Sequence, residues 1–343
     1  MTLTSVVLLI VSLVLAHTHA CPGDAEKRLA TLSEDFAILK KENTALRSKN
    51  KYLVSENSIL AETSTGEKFR SKLKSMLQSG SSTMSVVKYF FPEELVLTDS
   101  GSFQFFPIDD SLEKHPFLDE NFSMDESGKV TYSDGGNVSS IIGIDVSKHN
   151  GAIDWEKVAA SGVRFAYIRC GLRGYESGKI AADENFQTNV EGAQAAGISV
   201  GTYFFSQAVN EDEAREEAEF VLDAIKDYNI TLPVATDIEK VDGTDSTPRT
   251  NSISQEQRTA NALAFCKAIT DAGHTPMIYG NLKTFLMLLD MHQIEGIPKW
   301  YAEEAVRNDI TPYFPYSFQI WQYDFDGSID GITGDVDINI AFN

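Results

Sequence analysis

Two acidic residues at the end of one apolar run are the first sign of chemistry in this 343-residue sequence. Asp237 and Glu239 close the run 232–239. Residues two apart in a strand point to the same side, so these side chains share a face, with Cα atoms roughly 6.5–7 Å apart. Carboxylates held close repel each other and raise the pKa of one, as a general acid requires. Acidic strand ends are also common without a catalytic role, so the pair alone leaves both interpretations open.

The elements that position this pair are strand-like runs alternating with amphipathic helical runs from residue 141 onward. The predicted strands are 141–146, 163–169, 198–205, 232–239, 276–280, 299–302 and 318–323; the predicted helices include 183–196, 211–227 and 254–272. Asp154 is the predicted N-cap of a further helical segment, which stops before Gly162. This alternation predicts an α/β fold, a modified (β/α) TIM-like barrel over 141–343. Catalytic groups of such barrels lie at the carboxyl ends of strands. Asp145 ends the first strand and Asp337 lies near the C-terminus, so both join the candidate site.

Short motifs in this region resemble those of the glycoside hydrolase family 25 muramidases, the Chalaropsis-type lysozymes. In order along the chain they are GIDVS at 143–147, GAIDW at 151–155, GTYFF at 201–205, DIE at 237–239, WQY at 321–323 and VDIN at 336–339. The resemblance covers residues 141–343 and implies a flattened barrel. It also implies hydrolysis of the β-1,4 bond from N-acetylmuramic acid to N-acetylglucosamine in bacterial peptidoglycan, without a cofactor or a metal.

The resemblance also implies roles for individual residues. Glu239 corresponds to the general acid, Asp237 assists at the anomeric centre, and Asp145 and Asp337 complete an acidic cluster that stabilises an oxocarbenium-like transition state. The implied substrate-binding residues are Tyr203, Tyr279, Trp321, Gln322 and Arg169. Core packing remains open for the aromatic residues, and pairing with the acidic cluster remains open for Arg169.

Three further points stay open at this level. Inversion and substrate-assisted retention through the 2-acetamido group are both compatible with the residues, because carboxylate spacing separates them. The family often has an aromatic or basic residue where Glu304 stands, which puts the detail of the substrate groove in doubt. A non-catalytic glycan-binding coiled-coil scaffold and a chitin hydrolase are the alternative functions. The four intact acidic residues favour an active enzyme over a scaffold.

A heptad pattern precedes the barrel at residues 25–62. Leucine recurs every seventh residue, and asparagine occupies three of the intervening core positions; the two sets are Leu32, Leu39, Leu46, Leu53 and Leu60, and Asn43, Asn50 and Asn57. Leucine at d with asparagine at a favours a parallel two-stranded coiled coil. The predicted charge pairs between helices are Asp35 with Lys40 and Glu42 with Arg47. The alternative is a single amphipathic helix packed on the next domain.

Residues 63–140 predict a short helix near 67–78 followed by a β-rich linker module. The β-like runs are 86–91, 95–99, 103–108 and 129–132, separated by Asp, Ser, Gly and Pro turns. No catalytic pattern is visible in this module.

The first 20 residues predict a secretory signal peptide, because they lack charged side chains and carry an apolar run from Ser5 to Ala16. An uncleaved anchor and an acylated Cys21 are the alternatives. A secreted protein, or one delivered to a digestive vacuole by the secretory route, is expected. A parallel dimer would bring two copies of Cys21 together, so an interchain disulfide is a hypothesis.

The charge of the chain excludes two classes of partner. Fifty acidic residues stand against 29 basic ones, a net charge of −21. Neutralising nucleic-acid phosphates or anionic lipids requires surplus lysine and arginine. Nucleic acid is therefore not an expected partner, and no membrane contact is expected after the signal peptide is removed.

Overall fold

The computed structural model describes residues 22–242, 247–305 and 310–342, with side chains described from residue 29 onward. The predicted signal peptide and Cys21 lie outside the described residues. Within those ranges, no helix is both long and apolar enough to cross a membrane.

Among the described residues, eight strands close into the barrel that the sequence predicts. They are β6 Ser140–Val146, β7 Phe165–Arg173, β9 Ser199–Phe205, β10 Val234–Asp237, β11 Pro276–Asn281, β12 Lys299–Ala302, β13 Ile320–Gly327 and β14 Val336–Phe342. Seven run parallel in the spatial order β6, β7, β9, β10, β11, β12, β13, and the last strand, β14, runs antiparallel between β13 and β6. A short strand, β8 (Ile180–Ala182), extends the sheet from β7 as a hairpin.

Four helices cover the barrel, and side-chain caps fix where three of them begin. They are α4 Trp155–Ala160, α5 Phe186–Ala195, α6 Glu211–Ile225 and α7 Gln255–Asp271. Asp154, Asn210 and Ser254 each accept a backbone N–H of the first turn, which satisfies a donor that the helix cannot. The cap at Asp154 confirms the sequence prediction. Between β11 and β12, a stretch whose residues are all described, the helical structure is a π-turn, Thr284–Leu288. Among the described residues of 303–319 there is no helix.

The apolar core has two parts, one outside the strands and one inside the barrel. The inner part consists of Phe165, Tyr167, Ala235, Met277, Trp300 and Ile320. Two motif glycines make room for it: a Cβ at Gly143 would lie 2.3 Å from the Phe165 ring, and one at Gly201 would lie 2.7 Å from the Tyr167 ring. The glycines of the GIDVS and GTYFF motifs therefore admit aromatic rings to the barrel interior.

The chain before the barrel forms three helices and two small sheets. The helices are α1 Pro22–Thr63, α2 Gly66–Gln78 and α3 Thr83–Phe90. Strands β1 Glu94–Asp99 and β2 Ser102–Pro107 form an antiparallel hairpin, and β3 Phe122–Met124, β4 Val130–Asp134 and β5 Asn137–Val138 form the other sheet.

The predicted β-run at 86–91 is wrong, because most of it belongs to helix α3. Ser82 caps this helix by accepting the N–H of Ser85, Val86 is buried, and the Phe90 ring contacts the Phe69 ring of α2 at 4.8 Å between centroids. The cap and this packing override the strand preference of the Val and aromatic residues.

Helix α1 presents two different faces. One face is half-buried at Ala45, Ser48, Tyr52 and Ile59. Two lysines of the helix form ion pairs with later parts of the chain: Lys41 with Glu295 at 3.3 Å and Lys51 with Asp119 at 2.5 Å. The other face carries the leucine stripe, which we define as Leu32, Leu39, Leu46, Leu53 and Leu60. All five leucines are 42–66% exposed. The helix therefore does not pack on its own barrel through the heptad leucines.

Candidate active site

Four carboxyl groups meet at one end of the barrel. Asp145 lies on β6, Asp237 ends β10, Glu239 follows two residues later, and Asp337 lies on β14. Asp145 and Asp337 stand directly opposite each other in the antiparallel pair of β6 with β14. The negative charges of Asp145, Glu239 and Asp337 each raise the pKa of at least one other member of the set. The structure thus brings together all four acidic residues that the sequence singled out.

Asp145 is held by two amide side chains whose orientations are themselves fixed. Its Oδ2 accepts hydrogen bonds from Gln322 Nε2 at 2.7 Å and Asn339 Nδ2 at 2.8 Å. The Tyr279 hydroxyl donates to Gln322 Oε1, and the Trp300 indole N–H donates to Asn339 Oδ1, both at 2.7 Å. Each amide oxygen is thereby occupied, so each amide nitrogen must face the carboxyl group.

Asp145 and Asp337 form a coupled acidic pair joined by a hydrogen bond. Burial raises the pKa of Asp145 well above its usual range, and the charge of Asp337 adds to the effect. Burial also raises the pKa of Asp337, to about 6, although the hydrogen bond from Asp145 acts in the opposite direction. The pair therefore favours a state in which at least one of the two carboxyl groups keeps its proton.

Asp237 is a buried carboxyl group and Glu239 a half-buried one, and the pKa values of both are raised. Burial is the main cause for both; the charges of Glu239 and Asp145 add to it for Asp237, and the charge of Asp337 adds to it for Glu239. Among the described residues, Asp237 Oδ1 has no hydrogen-bond partner although it is buried. An unsatisfied buried oxygen is costly in a folded protein and is characteristic of groups that act on a ligand.

Two tyrosines supply hydroxyl groups around this cluster. Burial raises the pKa of Tyr203 and of Tyr279 well above 10, and the neighbouring carboxylates raise both further. Both hydroxyls therefore stay protonated and can donate hydrogen bonds. Trp300 lies between them in the barrel, with ring centroids 6.1 Å from Tyr203 and 4.7 Å from Tyr279.

The other three predicted substrate-binding residues, Gln322, Trp321 and Arg169, have different surroundings. Gln322 lies in the cluster, bonded to Asp145. Trp321 is fully buried in the outer core, and its indole N–H donates to the carbonyl of Glu303 at 2.8 Å. Adjacent strand residues point to opposite sides, so Gln322 points into the barrel and the Trp321 ring points outward. The ring is therefore not available for stacking on a sugar. Arg169 pairs with Asp183 at 2.8 Å. Its charge also lowers the pKa of Asp237, so it acts on the cluster electrostatically.

A cavity of about 580 Å³ opens onto this cluster. Glu239, Asp337, Tyr279 and Gln322 line it on the barrel side. This volume lies within the range of roughly 300–1,000 Å³ that is usual for small-molecule sites. The cavity therefore gives the general-acid candidate and one Asp of the coupled pair direct access to a ligand.

Sequence reasoning missed three residues of the site. Asn339 lies in the VDIN motif and Trp300 in the predicted strand 299–302, but their hydrogen bond to each other was not predictable from spacing. Asp183 accepts the Lys148 backbone N–H and the Arg169 guanidinium, and no sequence signal distinguishes it from other acidic residues.

Comparison with known proteins agrees with this geometry. A model of the glycosyl hydrolases family 25 matches residues 144–332, more than half of the chain. This chain belongs to glycosyl hydrolase family 25. The autolytic lysozyme of Clostridium acetobutylicum is 25% identical to it over 197 residues, which are 57% of this chain and 54% of that protein. Lysozyme M1 of Streptomyces globisporus is 28% identical over 207 residues, 59% of this chain and 67% of that protein.

A solved structure has a fold similar to that of this chain. The modular autolysin LytC from Streptococcus pneumoniae, in complex with a synthetic peptidoglycan ligand, aligns with a TM-score of 0.54 at 21% sequence identity. The alignment covers 73% of this chain and 57% of that one. The chain spans about half the length of the first curated relative that it matches. These matches establish the family and the barrel fold predicted from the sequence.

Proposed function

We propose that this protein is a lysozyme that hydrolyses the β-1,4 bond between N-acetylmuramic acid and N-acetylglucosamine in bacterial peptidoglycan. The observation that carries the proposal is the convergence of Asp145, Asp237, Glu239 and Asp337 at the carboxyl end of a family 25 barrel. The names of the similar lysozymes support it. So does the peptidoglycan ligand of the similar autolysin structure.

Glu239 is the general acid in this proposal. It lines the cavity, and both its burial and the charge of Asp337 favour its protonated form. A carboxylic acid that holds its proton near neutral pH can deliver it to the leaving glycosidic oxygen. The negative charge of Asp337 then stabilises the positive charge that develops on the sugar ring.

Asp237 assists at the anomeric centre. Its unpartnered Oδ1 is free to accept a hydrogen bond from the substrate's 2-acetamido N–H or from an attacking water. The first arrangement gives retention through substrate assistance, and the second gives inversion. The anomeric configuration of the first product, followed by proton NMR, distinguishes the two.

Clearing of bacterial cell walls tests the proposed activity. Wild-type protein should lower the turbidity of a purified peptidoglycan suspension, and Glu239→Gln should not. The non-catalytic alternative, a glycan-binding scaffold, predicts sedimentation of both proteins with peptidoglycan and clearing by neither. A chitin hydrolase would instead release sugars from chitin in preference to peptidoglycan.

We also propose that the protein is secreted and acts on cell walls outside the cytoplasm or in a digestive vacuole. The apolar, uncharged first 20 residues support this localisation. Cell fractionation and the N-terminal sequence of the mature protein test it: cleavage close to Ala20 is expected, and a protein that stays in the cytoplasm with its N-terminus intact would contradict it.

A second copy of the chain is the partner that we propose for the leucine stripe. The stripe is exposed while the opposite side of α1 packs on the same chain, and Asp35 with Lys40 and Glu42 with Arg47 would pair across a parallel seam. Cys21 would then stand near its copy at the start of the coil. A dimer band that survives without reductant supports the disulfide; a monomer band under both conditions excludes it.

A further inference from the structure

The cavity above the catalytic cluster has a wall that the family 25 region does not supply. Met84 and Lys88 of α3 line it together with Val96, Leu97 and Thr98 of β1. These residues precede the family match at 144–332 by more than 40 positions. We call the segment Thr83–Asp99 the cleft wall. Glu239 and Asp337 line the same cavity, so a ligand there meets both parts of the chain.

Asp99 fixes the cleft wall to the loops that carry the site. Its Oδ1 accepts from Lys283 Nζ at 2.7 Å and from Lys240 Nζ at 3.1 Å. Lys240 is the residue directly after Glu239, and Lys283 follows the strand of Tyr279. The two ammonium groups lower the pKa of Asp99 to about 2, so it remains charged at neutral and mildly acidic pH.

Hydrogen bonds of the backbone fix the same segment a second time. The Val96 N–H donates to the Tyr313 hydroxyl, and that hydroxyl donates to the Glu94 carbonyl, each at 3.0 Å. Leu95 and Val96 are each 1% exposed. Because β1 is held by its backbone, by buried side chains and by Asp99, the cleft wall is a fixed part of the cavity.

Lys88 brings a positive charge from the wall to the cavity. Its ammonium lies 3.6 Å from the centre of the Tyr313 ring, which holds the side chain in place through a cation–π contact. The distance from Lys88 Nζ to the carboxylate oxygen Glu303 Oε1 is 3.8 Å, which is longer than a charge-assisted hydrogen bond. The side chain is 28% exposed. An anion in the cavity can therefore reach this ammonium at a shorter distance.

We propose that the cleft wall binds substrate and that Lys88 binds a carboxylate carried by the muramic acid substituent. This inference rests on the proposed peptidoglycan substrate, whose muramic acid bears a lactyl group or a peptide stem. The two sources share the carboxylate chemistry. In contrast to the carboxyl groups of the barrel, Lys88 acts on binding and not on bond cleavage.

Steady-state kinetics of three variants test this role. Lys88→Gln removes the charge, Lys88→Arg keeps it, and Lys74→Gln makes the same charge change at an exposed position of α2. We expect Lys88→Gln to raise KM about three- to tenfold, as loss of a partly exposed ion pair would, with kcat changed less than twofold. Lys88→Arg should keep a KM within twofold of wild type, and Lys74→Gln should match wild type.

Three substrates identify the carboxylate. They are peptidoglycan strands with stem peptides, strands whose stems an amidase has removed to leave free lactyl carboxylates, and amidase-treated strands whose carboxylates are methyl-esterified. If Lys88→Gln raises KM on the first substrate, Lys88 binds a carboxylate of the stem peptide. If it raises KM on the second substrate, Lys88 binds the lactyl carboxylate. On the esterified strands, Lys88→Gln and wild type should agree.

Two results would overturn the inference in different ways. If wild type cleaves the strands and Lys88→Gln has the wild-type KM on all three, the cleft wall does not bind a carboxylate, while the proposed function stands. If wild type cleaves none of them, the proposed function fails and this inference fails with it. A Lys88→Gln effect that persists on esterified strands also contradicts carboxylate binding.

Discussion

The barrel and the chain before it differ in the chemical groups that they present. The barrel, residues 140–342, holds four interacting carboxyl groups with raised pKa values, of which Asp145 and Asp237 are buried and Glu239 and Asp337 line the cavity. The preceding region, residues 22–139, contributes an exposed leucine stripe and a fixed cleft wall. The first arrangement suits proton transfer, and the second suits binding to partners and substrate.

Because the two regions carry different groups, we expect substitutions in one region to leave the function of the other intact. Substitutions in the barrel cluster should abolish the reaction while the assembly stays intact. Substitutions in the preceding region should change assembly or KM while the chemistry survives. The predictions below test this separation, beginning with the largest effect.

Removing the proton donor should have the largest effect. We expect Glu239→Gln to lower kcat about 10²–10⁴-fold, the usual contribution of general acid catalysis. The amide retains the shape of the side chain but carries no transferable proton. Glu191→Gln, an exposed residue of α5, is the matched control and should keep wild-type kcat. Both are measured by the release of reducing ends; an active Glu239→Gln would remove this residue from the mechanism.

Asp237→Asn should trade activity for stability. Its kcat should fall about a hundredfold or more, because the assisting carboxyl group is lost. The folded-state pKa of Asp237 lies above its unfolded value, so the stability that it contributes is lost as pH rises through that pKa. At pH 7 the asparagine variant should therefore melt about 2–4 °C higher than wild type, and this gain should shrink toward pH 4.

Thermal unfolding of Asp237→Asn at the two pH values provides the check. Asp227→Asn, at an exposed position after α6, serves as the control and should melt with wild type at both. A variant less stable than wild type at pH 7 would mean that the buried carboxyl group is stabilising, contrary to its raised pKa.

Asp337→Asn should move the pH profile. The charge of Asp337 raises the pKa of Glu239, so its removal lets Glu239 lose its proton at lower pH. The high-pH limb of kcat/KM should shift to lower pH by roughly half to one pH unit. Asp335→Asn changes the same charge at an exposed position two residues away and should leave the limb unchanged. A shift to higher pH would contradict the assigned coupling.

Disrupting the leucine stripe should change assembly with the smallest effect on chemistry. We expect Leu46→Lys with Leu53→Lys to convert a dimer to a monomer in analytical ultracentrifugation, because two charges would enter the seam. Cleavage per barrel should stay within about twofold of wild type. Ile38→Lys, exposed on α1 but outside the a and d positions, is the control and should remain dimeric. A monomeric wild type would exclude the dimer.

The sequence predicted the barrel well because strand and helix periodicities were clear. Seven strands, three long helices and the cap at Asp154 were recognisable from local pattern. The eighth strand, β14, was recognised as a motif and not as a strand, since its antiparallel pairing depends on contacts distant in sequence. Helix α3 was mistaken for a strand because its packing on Phe69 is tertiary.

The candidate site was predictable in its acidic residues and less so in its surroundings. Spacing and motifs identified Asp145, Asp237, Glu239 and Asp337. They did not reveal that Trp321 faces the outer core, because the sequence of its strand does not distinguish the face that points into the barrel from the face that points outward. Nor did they connect Asp99 and Lys88 to the cleft, since no periodic pattern links the β1 hairpin to loops 140 or more residues away.

Identification of the cleaved bond tests the central claim most directly. Purified peptidoglycan is digested with wild-type protein, the products are reduced with borohydride, and the reduced terminal sugar is identified by mass spectrometry. Our account predicts N-acetylmuramitol at the reduced ends, and none above background with Glu239→Gln. Reduced N-acetylglucosamine as the terminal sugar, or no product from wild type, would contradict it.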